Sequence, residues 1–109
     1  MESIQQLNVS QLKSRLAQAG DQPILLDVRE SWEYNLCALP GSVHIPMGQI
    51  PARLADIPQG RPLIVVCHHG MRSYQVAEFL LARGFSDVAN LDGGIDAWAR
   101  VVDPTLARY

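Results

Sequence analysis

The chain has 109 residues, of which 48% are hydrophobic, and this size and composition favour one compact domain with one core. Its formal net charge of -2 gives no broad attraction to nucleic acid or to an anionic membrane, so any anion site must be local. The sequence has no basic region followed by an apolar run and no stretch near the roughly 18 apolar residues of a membrane span. We therefore expect a cytoplasmic protein with a single domain over residues 1–109, comprising a core over about 4–100 and a tail over 101–109.

The first part of the chain alternates short apolar runs with amphipathic segments. Residues 4–7 are a candidate edge strand, and Asn8 with Gln11 has the pattern of a capping box at the start of a helix. A buried strand is predicted over residues 23–28, and a short helical turn over residues 30–35.

The alternation continues to the end of the chain. A brief strand is predicted over residues 43–45, a short helix over 50–57, a strand over 88–91 and a last amphipathic helix over 95–99. Strands that alternate with helices favour an α/β fold with a mostly parallel sheet covered on both faces.

The stretch over residues 63–81 contains the most informative chemistry. An apolar run predicts a buried parallel strand, and apolar residues at helical spacing follow Ser73. Cys67 falls between them, at the carboxyl end of a strand, where open α/β sheets bind ligands. Loop N–H groups and the positive end of the next helix would stabilise a thiolate there, Gly70 lets the loop curl, and Arg72 adds a positive charge. The pattern indicates a reactive thiol, with a buried structural cysteine as the alternative.

Three residues outside this loop are secondary candidates for the site. Asp27, at the end of a strand, either holds the nearby loops in place or faces the site, and the holding role is favoured. Glu33 is spaced to form a salt bridge with Arg29, and near the entrance it would also disfavour highly anionic substrates. Cys37 is either a small packed side chain or a resolving thiol that accepts sulfur from Cys67, which for a disulfide requires Cα atoms within roughly 7 Å.

The adjacent residues His68 and His69 could tune the thiolate, bind an anion or ligate a metal together with Cys67. Neighbouring loop positions point in different directions, and no further cysteine or histidine lies at the spacing of a structural zinc site. We therefore predict no metal site, and we expect the histidines to contribute backbone amides, with one ring near the mouth of the site.

Three groups of segments, taken in order, resemble the rhodanese, or sulfurtransferase, family: residues 25–29 with Glu33-Tyr34, Pro40-Gly41-Ser42 with Ile45-Pro46, and residues 67–73 leading to Leu91-Asp92-Gly93-Gly94 with Ala97-Trp98. The resemblance covers about residues 4–100 and implies a mainly parallel five-stranded sheet flanked by helices on both faces. It further implies that Cys67 carries sulfur in a cradle of backbone amides, with the anion-binding positions His68, His69, Gly70, Met71, Arg72 and Ser73. Family members usually carry glycine where this chain has Cys37.

The resemblance also implies a two-step mechanism without a metal or an organic cofactor. The thiolate attacks the sulfane sulfur of a small donor, such as thiosulfate or a persulfide, and a thiol, cyanide or protein acceptor then takes the outer sulfur. Four residues separate Cys67 from Arg72, one fewer than in phosphatases of related fold, so phosphatase or arsenate reductase activity is disfavoured. The alternative from another class is a non-catalytic rhodanese-like binding module, although such a module needs neither Cys67 nor Arg72.

Overall fold

The computed structural model describes residues 4–20 and 22–109, and its centre is a parallel sheet. The five strands are β1 (Gln5–Leu7), β2 (Ile24–Asp27), β3 (Val43–His44), β4 (Leu63–Val66) and β5 (Val88–Leu91). They lie in the order β1-β5-β4-β2-β3, and every neighbouring pair is parallel. The predicted α/β class is confirmed, with a sheet that is wholly rather than mainly parallel.

The helices are α1 (Val9–Ala17), α2 (Ser31–Leu36), α3 (Met71–Ala82) and α4 (Gly94–Val101), with 3₁₀ helices over Met47–Gln49 and Pro51–Asp56. The short helix expected over residues 50–57 is therefore not an α-helix. One reason is that Pro51 has no N–H to donate back across the junction between the two 3₁₀ segments. In the part of the chain that the structure describes, no helix is long and apolar enough to cross a membrane.

The predicted capping box is present at the start of α1. The side chain of Asn8 accepts the N–H of Gln11 at 2.8 Å, and the side chain of Gln11 accepts the N–H of Asn8 at 2.8 Å. These two bonds satisfy N–H groups that have no partner within the helix. They fix the point at which the chain leaves the edge strand β1.

Side chains of the central strands alternate between two core clusters, one on each face of the sheet. On β4, Leu63 and Val65 belong to one cluster, whereas Ile64 and Val66 belong to the other. Helix α3 and the 3₁₀ segments cover the first face, and helices α1 and α4 cover the second. Each fully buried aliphatic side chain contributes roughly 1.5–3 kcal/mol by leaving water. Burial on both faces explains why β2 and β4 are apolar runs without alternating polar residues.

The prediction of a salt bridge between Arg29 and Glu33 is wrong. The fully buried Arg29 instead pairs with Asp27, with Nε 2.9 Å from Oδ1 and Nη2 2.7 Å from Oδ2. Glu30, the N-cap of α2, has extended backbone angles, so Arg29 does not lie one helical turn before Glu33. Burial lowers the pKa of Arg29, but hydrogen bonds to Asp27 and Tyr109 outweigh it and raise the pKa. Asp27 therefore holds the segment that follows β2.

The segment after α4, which we expected to be a tail, packs back onto the domain. Leu106 and Tyr109 are partly buried against the core cluster beneath α1 and α4. The Tyr109 hydroxyl accepts a hydrogen bond from Arg29 Nη1 at 2.9 Å. This contact brings the last residues of the chain to the carboxyl ends of the strands.

Candidate active site

Cys67 lies directly after β4, at the carboxyl edge of the sheet, as the sequence predicts. The residue is 1% exposed. Its Sγ accepts the N–H of Gly70 at 3.1 Å and lies 3.2 Å from the Ser73 hydroxyl. Both groups can donate to a thiolate, and hydrogen bonds to a charged acceptor are stronger than those between neutral groups. The sulfur therefore lies in a polar cradle at the start of α3.

The loop turns into α3 at Gly70, which is the N-cap of that helix. Its φ of 105° lies in the left-handed region that favours glycine. A Cβ at this position would also lie 3.2 Å from the Leu91 carbonyl oxygen and 3.3 Å from the Gly93 nitrogen. Through this turn the Gly70 N–H reaches the Cys67 sulfur at the start of α3, where the first N–H groups of the helix have no partner within it.

Helix α4 holds the opposite side of the loop. The N–H of Ile95 donates to the Cys67 carbonyl at 2.9 Å, and the N–H of Asp96 donates to the His68 carbonyl at 3.0 Å. Gly94 permits this approach, because a Cβ there would collide with both carbonyl groups. The carbonyl groups of Cys67 and His68 therefore bond to α4, whereas the Gly70 N–H of the same loop donates to the Cys67 sulfur.

A buried polar network that the sequence analysis did not identify supports the loop from β5. Asn90 is fully buried, and its Nδ2 donates to the Gly70 carbonyl at 3.0 Å and to Gln6 Oε1 at 2.9 Å. Its Oδ1 accepts a hydrogen bond from the Ser73 hydroxyl. The available signal was one asparagine in the otherwise apolar strand Val88–Leu91.

Glu33 and Arg72 form an ion pair beside the loop. Arg72 Nη1 lies 2.7 Å from Oε1 and Nη2 lies 2.9 Å from Oε2, and the Glu33 side chain is only 4% exposed. The bonds to Arg72 are the largest cause that lowers the pKa of Glu33 to about 2. The bonds to Glu33 raise the pKa of Arg72. The positive charge predicted at Arg72 is present, but Glu33 counters it.

Tyr109 joins this ion pair to the buried Arg29. The Tyr109 hydroxyl donates to Glu33 Oε2 at 2.8 Å and accepts from Arg29 at 2.9 Å. The Tyr109 ring stacks on His68 with centroids 4.0 Å apart and an interplanar angle of 11°. Burial raises the pKa of Tyr109 to about 12, so the hydroxyl keeps its proton at neutral pH. From the sequence alone, Tyr109 belongs to the tail and has no predicted role.

We expected the rings of His68 and His69 to point in different directions, but they do not. They stack with centroids 4.0 Å apart, so His68 lies between His69 and Tyr109. Burial, and then the neighbouring His69, lower the pKa of His68. His68 is therefore the more buried of the two rings, whereas the His69 side chain is 65% exposed.

The ligand atoms of His68, His69 and Asp96 all lie within 4.8 Å of one another, which is the spacing of a possible metal group. The Asp96 carboxylate is already engaged, because Arg100 Nε lies 3.1 Å from Oδ2 and Arg108 Nη2 lies 3.4 Å from Oδ1. Two cations at this carboxylate compete with any metal ion for its oxygens. The group is therefore better described as an ion-pair network at the start of α4.

Cys37 and Cys67 belong to different core clusters. It is buried in the core cluster beneath α1 and α4, whereas Cys67 belongs to the cluster on the opposite face of the sheet. The Arg29 Nη1 lies 3.9 Å from the Cys37 sulfur. This placement argues against the resolving-thiol hypothesis, because the sheet separates the two clusters.

Replacement of Gly94 should destabilise the loop. In Gly94→Ala, the added Cβ would meet two carbonyl groups at a residue whose φ is 60°. We expect a loss of at least about 2 kcal/mol in the free energy of unfolding, measured by urea denaturation. Gly48→Ala is the matched control, because nothing lies within 4 Å of its Cβ position. Equal stability of the two variants would contradict the assigned contact.

The Glu33 carboxylate should make the free energy of unfolding depend on pH in the acidic range. Its pKa is lowered from 4.5 to about 2, so the stabilisation is complete above pH 4.5 and is lost as the pH falls toward 2. The difference in free energy of unfolding between the wild type and Glu33→Gln should shrink by about 2–3 kcal/mol between about pH 6 and 2.5. A difference that stays constant over this range would rule out the charged pair as a source of stability.

Comparison with known proteins agrees with the resemblance read from the motifs. Residues 8–101 match the family model of the rhodanese-like domain. A sulfurtransferase of Allochromatium vinosum is 36% identical over 104 residues, which cover 95% of this chain and 96% of that protein. A thiosulfate sulfurtransferase GlpE of Pseudomonas savastanoi is 39% identical over 75 residues, covering 69% of this chain and 71% of that protein.

Solved structures agree with these matches. A rhodanese-like domain protein from Staphylococcus aureus superposes with a TM-score of 0.83 at 30% identity, covering 97% of this chain and 99% of that one. Family model, relatives and fold coincide over nearly the whole chain, so the chain belongs to the rhodanese-like domain family and is a sulfurtransferase.

Proposed function

We propose that the protein moves sulfane sulfur through a persulfide on Cys67. The donor is a small compound such as thiosulfate or a persulfide, and the acceptor is a thiol, cyanide or a protein. The observation that carries this proposal is the hydrogen bond from the Gly70 N–H to the Cys67 sulfur at the start of α3. A sulfur held by a backbone N–H at the positive end of a helix is suited to carry negative charge.

In the first step, the Cys67 thiolate attacks the outer sulfur of thiosulfate. A new S–S bond forms while the S–S bond of thiosulfate breaks, and sulfite leaves with the electron pair. In the second step, the acceptor thiolate attacks the outer sulfur of the Cys67 persulfide, and Cys67 leaves as the thiolate. The enzyme is modified between the two steps, so ping-pong kinetics are expected.

The rigid loop supports both steps because the charged group is a sulfur atom in each. The charge lies on Cys67 Sγ before attack and on the outer sulfur of the persulfide afterwards. Bonds from α4 to the carbonyl groups of Cys67 and His68 keep the amides oriented without reorganisation during the reaction. The Ser73 hydroxyl has one proton and two acceptors within reach, Cys67 Sγ and Asn90 Oδ1, so it can donate to the sulfur when the sulfur is charged.

The alternative of a non-catalytic binding module receives less support. Cys67 is present in a polar cradle, and relatives that align over most of the chain are named sulfurtransferases. Cys37 has no part in the proposed mechanism, since it packs on the opposite face of the sheet.

Intact-protein mass spectrometry tests this proposal. After incubation with thiosulfate or glutathione persulfide, the wild type should gain the mass of one sulfur atom, and a thiol or cyanide should remove it. Cys67→Ser should gain no sulfur, because it lacks the nucleophile. Cys37→Ser is the matched control and should gain sulfur like the wild type. A wild type that stays unmodified with both donors, or a Cys67→Ser variant that still gains sulfur, would overturn the proposal.

A further inference from the structure

We propose that Glu33, positioned by Tyr109, makes the site selective for sulfur donors of low charge, such as alkyl persulfides, over the dianion thiosulfate. Glu33 acts through Arg72, so it is a positioning residue for donor selectivity rather than a catalytic residue. This inference rests on the proposed persulfide chemistry at Cys67 and specifies its donor class.

The cation of the loop, Arg72, is paired with Glu33. Arg72 lies in the first turn of α3, and both of its terminal nitrogens are bound by the two oxygens of Glu33. A doubly charged donor needs positive charge at the site to offset its desolvation. The Arg72 charge is largely offset by a carboxylate at 2.7 Å, so the pair adds little net attraction for a dianion.

Glu33 is held in place by several hydrogen bonds. Its carboxylate accepts the Tyr109 hydroxyl at 2.8 Å and the Glu30 N–H at 3.1 Å, in addition to the two bonds from Arg72. Tyr109 is itself fixed by Arg29 at 2.9 Å. Glu33 is therefore held beside Arg72, and an anion that approaches the 35% exposed Arg72 side chain meets the guanidinium with this carboxylate still bound to it.

The side chains around the loop also favour a donor of low charge. Burial, and then the neighbouring His69, lower the pKa of His68, which disfavours a cation at this ring. Met71, which follows Gly70, is 77% exposed. Trp32, whose ring centroid lies 5.7 Å from that of Tyr109, is 60% exposed. Exposed apolar side chains near the loop suit the organic group of an alkyl persulfide better than the sulfonate of thiosulfate.

The reaction with such a donor is balanced without an added oxidant or reductant. The Cys67 thiolate attacks the outer sulfur of R–S–SH, and a Cys67–S bond forms while the donor S–S bond breaks. The group R–S⁻ leaves with the electron pair, and Cys67 retains the outer sulfur with its proton. Only one negative charge is present throughout, and it stays on sulfur.

The test is the ratio of kcat/KM for thiosulfate to kcat/KM for 2-hydroxyethyl persulfide. We compare the wild type with Glu33→Gln, Arg72→Gln and the double variant, with the fold of each checked by circular dichroism. Glu33→Gln should raise the ratio about tenfold, mainly through a lower KM for thiosulfate, because it removes one negative charge beside a dianion. Tyr109→Phe should move the ratio in the same direction by a smaller factor, since it removes a single hydrogen bond from Glu33.

The double variant separates charge balance from direct binding. Its two amides restore the net charge of the pair, so its ratio should lie closer to the wild-type value than the ratio of Arg72→Gln does, whatever the absolute rates. If the ratio of the double variant is at least about tenfold below the wild type, Arg72 binds thiosulfate directly and the inference is overturned. This comparison holds even where Glu33→Gln does not fold. Failure of both donors to load Cys67 would instead overturn the proposed function itself.

Discussion

The site depends on the way helix α4 holds the cysteine loop. Two N–H groups at the start of α4 bind the carbonyl groups of Cys67 and His68, and this contact requires that Gly94 has no side chain. A short loop has both N–H and C=O groups, and it can present its amides to an anion only if its carbonyl groups find partners elsewhere. The glycines at the start of α4 and the cysteine before α3, far apart in sequence, are thus parts of one structural unit.

Two ion pairs lie near this loop, and one is more deeply buried than the other. The innermost pair joins Arg29 to Asp27 in the core, and the outer pair joins Arg72 to Glu33 beside the loop. The Tyr109 hydroxyl connects the two, since it accepts from Arg29 and donates to Glu33. Removing one partner of such a network leaves a buried charge unpaired, which costs more than the pair contributes. The network therefore fixes the conformation of the loop surroundings as well as their charge.

Most of the fold could be predicted from the sequence because its signals are local. The capping box at Asn8, the apolar runs of the central strands and the position of Cys67 at a strand end all follow from neighbouring residues. The partner of Glu33 could not be predicted in this way, because Arg72 lies 39 positions away. Tyr109 lies 76 positions from Glu33, and its role depends on how the chain packs after α4. The role of Asn90 was missed because its partners Ser73 and Gly70 lie 17 and 20 positions away in the sequence.

The central claim is that a preformed loop holds the transferred sulfur on Cys67. A crystal structure of the protein after reaction with a sulfur donor tests it most directly. We expect a second sulfur atom bonded to Cys67, within hydrogen-bond distance of N–H groups in the first turn of α3, with Glu33 still bound to Arg72. An added sulfur on Cys37, or a persulfide on Cys67 that points away from the loop amides, would contradict it.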